Sequence, residues 1–120
     1  MQPYLVEEIR DADGGLISHR DPKALRRVIS EDAARIMNRL MVTSVRDGYA
    51  QPARIAGVAV GGKTGSAEVG PGQKTHSWFA GFAPAENPSI AVAVIMENKG
   101  SGTEFATPAG RRVMEAALGR

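Results

Sequence analysis

A chain of 120 residues, 42% hydrophobic and 23% charged, amounts to one domain at most and can bury roughly 65% of its unfolded surface, enough for a core without metal or disulfide support. Its 15 Lys and Arg against 13 Asp and Glu leave a formal charge of +2, too even a balance for a nucleic-acid tail or a polybasic membrane patch. The absence of cysteine excludes disulfide scaffolds, thiolate zinc sites and thiol nucleophiles.

In chain order, residues 1–8 lack the basic and apolar regions of a signal peptide, so none is expected there, and if the protein is exported its address lies elsewhere. Residues 4–9 and 16–18 flank Asp11-Ala12-Asp13-Gly14-Gly15, whose Asp-Gly and Gly-Gly steps suit the positive φ of a hairpin turn, and predict a small β-hairpin. Ser30 is placed to cap a helix whose first turn carries Glu31 and Asp32. Met37, Leu40, Met41 and Val45 then fall at helical spacing, the methionines reading as core filler, and Gly48 stops the helix.

From Val58 the pattern turns to β. Residues 58–69, 77–83 and 89–97 are separated by Gly70-Pro71-Gly72-Gln73-Lys74-Thr75 and by Pro84-Ala85-Glu86-Asn87-Pro88, turn-rich stretches that predict three antiparallel strands in a meander. The last of these is apolar throughout residues 90–96, which predicts cover on both faces. A run of that length is far short of the ~20 residues of a membrane span. As the last strand of a meander it also keeps a bare outer edge. Thr107 reads as the cap and Pro108 as the first position of a closing helix, with Val113, Met114, Ala117 and Leu118 on its apolar face and Gly119 at its end.

The densest chemical signal is Gly61-Gly62-Lys63-Thr64-Gly65-Ser66-Ala67-Glu68, where glycines let the backbone approach an anion, Lys63 supplies charge, and Thr64 and Ser66 supply donors. One reading is a phosphate loop, since residues 57–64 satisfy G-x-x-x-x-G-K-[ST]. Such a loop requires a helix to begin at the Lys-Thr pair, and Gly65, Gly70, Pro71 and Gly72 disfavour one. The other reading puts Lys63-Thr64-Gly65 on a strand bordering a cleft.

In this second reading the chain resembles the transpeptidase domain of penicillin-binding proteins, serine acyltransferases of peptidoglycan synthesis in which K-[ST]-G is a signature. The likeness runs from residues 1–6 through the strands to Pro108-Ala109-Gly110, and is nearest to the class B type. It implies an α+β fold, an antiparallel three-strand meander flanked by helices, here with a helix on either side. This would be the C-terminal part of the serine β-lactamase and penicillin-binding transpeptidase fold, filling residues 1–120. It also implies that Lys63 and the Thr64 and Ser66 hydroxyls hold a substrate carboxylate, that the Ser66 N–H is half of an oxyanion hole, and that Gly65 leaves room for substrate along the strand. Ser66 stands where the family more commonly has Thr. No cofactor or metal is implied. The implied partners are the D-Ala-D-Ala stem peptide, β-lactams and a cell-wall synthesis complex, at the outer face of the cytoplasmic membrane with the anchor outside this chain.

Two signatures are missing. No serine has Lys three places on, so S-x-x-K is absent, and Ser30-Glu31-Asp32 matches S-x-[ND] only by letters at a helix start. The nucleophile is therefore expected in a missing N-terminal part of the same domain, whose first strand in the family pairs beside the last strand, and the chain alone is expected to be inactive. Other candidates read blandly. His19 and His76 lack ligand spacing, Trp78, Phe79 and Phe82 read as core, and Glu68 and Glu97 read as solvated strand ends. The alternatives kept open are a P-loop nucleotide binder and a non-catalytic binding module on the same scaffold.

Overall fold

The computed structural model describes residues 2–120; Met1, the first residue of the 1–6 stretch, lies outside the described residues. The chain divides into two compact units, one up to Ser30 and one from Glu31 to Arg120. In the first, β1 (Glu8–Arg10) pairs antiparallel with β2 (Leu16–His19), the predicted hairpin. Asp11 closes it: its carboxylate accepts the Asp13 N–H at 3.0 Å and the Gly15 N–H at 2.7 Å, while Gly14 adopts φ +87°, which a side chain would resist. Pairing starts only at Glu8, so the first strand is shorter than residues 4–9.

The second unit holds α1 (Glu31–Asp47), β3 (Gly61–Ala67), β4 (His76–Ala83), β5 (Ile90–Met96) and α2 (Ala106–Ala117). The strands form one antiparallel sheet in the order β3-β4-β5, the predicted meander. β3 starts three residues later than the sequence suggests, because Ile55 and Val58 are tied to each other in an isolated bridge. Gly119, at φ +70°, follows the end of α2.

Register and side-chain alternation sort the sheet into two faces. One carries Thr64 and Ser66 from β3, Ser77 and Phe79 from β4, and Val92 and Val94 from β5; the other carries Lys63, Trp78, Ala80, Ala93 and Ile95. Both helices pack on the first face. A Cβ on Gly62 would meet Phe79 and Val45 of α1, and one on Gly110 of α2 would meet the same Phe79 ring, so the two helices converge on that ring. The core is Val45, Ala50, Ala53, Ile55, Val60, Phe79, Ala83, Ala106 and Met114.

The expected helix on either side, and the expected cover on both faces of β5, are therefore corrected. Along β5 half-buried and exposed residues alternate, and on the second face Trp78 and Ile95 are 40% and 44% exposed. Trp78 is no core residue because β4 alternation turns it away from the helices, whereas Phe79 is 1% exposed. Met37 also leaves the core: α1 meets β3 through its C-terminal turns, leaving Met37 exposed and Met41 half-buried. Thr107 is not the cap of α2. The helix starts two residues earlier than predicted, at Ala106 behind Phe105, and the Ala106 N–H is met instead by the hydroxyl of Ser77, at 2.9 Å.

The approach of α2 to the sheet depends on Gly110, where a Cβ would lie 2.3 Å from the Phe79 ring. Gly110→Ala is expected to cost about 1–3 kcal/mol through overpacking, despite alanine's better helix propensity. A lower urea midpoint at unchanged slope checks it.

Candidate functional site

β3 is a sheet edge: β4 pairs with one side of it and, among the described residues, no strand pairs with the other. Lys63, Thr64, Gly65 and Ser66 all lie within it. No helix begins at Lys63-Thr64, so backbone amides there cannot converge on phosphates as a nucleotide loop requires, and the P-loop alternative is set aside.

Lys63 and Thr64 border a depression of about 370 Å³ whose opposite wall is the end of α1 and the turn after it, with Leu40, Thr43, Ser44, Asp47, Gly48 and Tyr49. The Lys63 side chain is exposed, and its Nζ donates to the Thr64 carbonyl at 2.5 Å. Among the described residues it forms no ion pair, so the ammonium keeps donors for an external anion. Thr64 is half-buried, and its hydroxyl likewise has no side-chain hydrogen bond among the described residues.

Ser66, two residues on and on the Thr64 face, is held differently: its Oγ accepts the Gly102 N–H at 3.1 Å. Gly65 lies against the β4 backbone opposite Trp78, and a Cβ there would sit 3.2 Å from the Trp78 Cβ. The glycine thus also relieves cross-strand crowding, besides leaving the edge open. The structure brings together Lys63 and Thr64, with Ser66 next along the same edge.

Sequence reasoning missed the loop at residues 98–105 that crosses beside Ser66. Its signal was the Gly100-Ser101-Gly102 triplet, which resembles ordinary turn composition. Other candidates stay outside the site. His76 accepts the Asn98 N–H at 3.0 Å and His19 faces Asp21 at 3.5 Å, and no group of three or more metal-binding side chains occurs among the described residues. Glu68 and Glu97 are exposed. A more apolar cleft of about 490 Å³ lies between α1 and residues 54–60, but its arginines are engaged, Arg46 with Asp47 at 2.8 Å and Arg54 with the Val45 carbonyl at 3.2 Å. It offers few convergent polar groups. No helix among the described residues is long and apolar enough to cross a membrane.

Comparison with known proteins adds four findings. The family model described as penicillin binding protein transpeptidase domain matches residues 1–115. A peptidoglycan D,D-transpeptidase, PbpA, of Mycolicibacterium smegmatis is 39% identical over 98% of this chain and 26% of its own length. Among solved structures, the D,D-transpeptidase domain of a peptidoglycan glycosyltransferase from Eggerthella lenta superposes with a TM-score of 0.84 at 34% identity, covering 98% of this chain and 27% of that one. Penicillin-binding protein A from M. tuberculosis, solved as a ceftriaxone acyl-enzyme complex, gives 0.84 at 38% identity, covering 97% and 28%. The chain thus spans about a quarter of the length of the relatives it matches.

Proposed function

Since the chain belongs to the penicillin-binding protein transpeptidase domain family, we propose that it forms the carboxylate-binding wall of a peptidoglycan D,D-transpeptidase. The observation that carries this is an exposed Lys63 on an open strand edge, beside the Thr64 hydroxyl, the two having no ion pair and no side-chain hydrogen-bond partner respectively among the described residues. A peptide laid along that edge would gain main-chain hydrogen bonds as an added strand, with its C-terminal carboxylate against Lys63 and the Thr64 and Ser66 hydroxyls. A D-Ala-D-Ala stem peptide or a β-lactam presents such a carboxylate next to the carbonyl to be attacked. In this pose the Ser66 N–H faces the developing oxyanion, a donor worth roughly 3 kcal/mol to the transition state.

The reacting serine comes from outside these residues, in an S-x-x-K half of the same domain. The bare second face of the sheet, with Trp78 and Ile95, and the edge of β5 that no strand pairs among the described residues are the surfaces available to that half. The protein so completed acts at the cell envelope, on the outer face of the cytoplasmic membrane. The chain alone binds but does not acylate, because no nucleophile and base of the required spacing are present.

Fluorescent penicillin decides between the readings. The product of the full reading frame should label covalently and lose the label when the upstream S-x-x-K serine is replaced by alanine, while the 120-residue chain stays unlabelled. Labelling of the chain itself, or a full-length protein inert to every β-lactam and acyl substrate, would overturn the proposal, the latter favouring a non-catalytic module.

A further inference from the structure

Ser77 and Thr107 are the two polar residues with no exposed surface among the described residues, and both act on one loop. The Thr107 hydroxyl donates to the Gly102 carbonyl at 2.7 Å, and the Thr107 N–H donates to the same oxygen at 2.9 Å. The Ser77 hydroxyl donates to the Ser101 carbonyl at 2.9 Å while accepting the Ala106 N–H. Thr75 and Gly100 add a third tie, through two hydrogen bonds of 2.9 Å each. These bonds press Gly102 onto the sheet so closely that a Cβ there would lie 2.2 Å from the Gly65 carbonyl oxygen and 2.6 Å from that of Trp78.

The outcome of this clamping is a single directed contact, the Gly102 N–H to the Ser66 Oγ at 3.1 Å. A serine hydroxyl has one proton and two acceptor sites. With one acceptor site taken by Gly102, and no acceptor for its proton among the described residues, the exposed residue keeps its hydroxyl proton for an external acceptor. A freely rotating hydroxyl would spend part of its time with its proton turned elsewhere, and would have to be ordered when an anion arrives.

We infer that Thr107 and Ser77 are positioning residues: through Gly102 they fix the Ser66 hydroxyl as a donor to the substrate carboxylate. This rests on the carboxylate-binding reading of β3 given above. Neither residue touches substrate. Their effect is on how strongly the site prefers a carboxylate over an uncharged group in the same place.

The test compares acylation of the full-length protein by benzylpenicillin and by its methyl ester, which removes the carboxylate charge. In Thr107→Val and in Ser77→Ala the preference for the free acid should fall about 10-fold, the ester rate staying within about 2-fold of the parent. Thr107→Ser should restore the preference. Ser66→Ala should show the same loss, and adding Thr107→Val to it should lower the preference no further. An equal fall in both rates, or an unchanged preference in Thr107→Val and Ser77→Ala, overturns the inference while leaving the carboxylate site standing if Ser66→Ala still loses preference. A preference indifferent to Ser66→Ala overturns the carboxylate assignment of Ser66 itself and the inference with it. Should Thr107→Val not accumulate as folded protein, Ser77→Ala, alone and added to Ser66→Ala, carries the same decision.

Discussion

Lys63→Ala is expected to lower acylation of the full-length protein by benzylpenicillin about 100-fold, the range of a lost hydrogen bond to a charged partner, and to leave the rate with the methyl ester nearly unchanged. The side chain is exposed and, among the described residues, its one hydrogen bond is to the neighbouring Thr64 carbonyl, so its removal is expected to leave the sheet register intact. Lys63→Arg keeps the charge but replaces a compact ammonium with a longer planar fork, and should recover only part of the rate. Stopped-flow acylation with both compounds checks the expectation. A full rate with the free acid in Lys63→Ala would remove the cation from the site.

The placement of Lys63-Thr64-Gly65 on an extended edge was legible because the glycines and Pro71 after it left no length of chain for a helix, a purely local argument. The meander was legible for the same reason: turn residues mark its ends. The two-faced character of β5 was harder, since an all-apolar strand carries no polar alternation. A weaker signal was present in residue size, with Ile90, Val92 and Val94 toward the helices and Ala91 and Ala93 toward the bare face, although Ile95 on that same face breaks the pattern. Thr107 illustrates a different limit. A threonine ahead of a proline matches a helix cap by local rules, but its hydroxyl bonds backward to Gly102, and the true partner of the first helical amide is Ser77, on a strand far away in sequence. Tertiary partners of this kind have no local signature, which is why the loop beside Ser66 emerged only from the coordinates.

Phe79→Ala is expected to destabilise the chain by about 3–5 kcal/mol. The ring is 1% exposed and sits where three elements have given up side chains to receive it. Cβ atoms built on Gly62 of β3, Gly81 of β4 and Gly110 of α2 would come within 2.7, 2.6 and 2.3 Å of it. Shape of this kind has a consequence for repair. Alanine leaves a hollow walled by backbone, and backbone held in a ladder and a helix relaxes little, so the cavity term persists. Leucine refills part of the space and should cost less, whereas valine, branched next to the backbone, leaves the far end near Gly62 and Gly81 empty. Urea unfolding of the 120-residue chain, read as a midpoint shift at constant slope, checks the series. A loss below about 1 kcal/mol for Phe79→Ala would mean that α1 and α2 are held to the sheet by other contacts, and that the ring is not what sets the spacing of the β3 edge from the helix behind it.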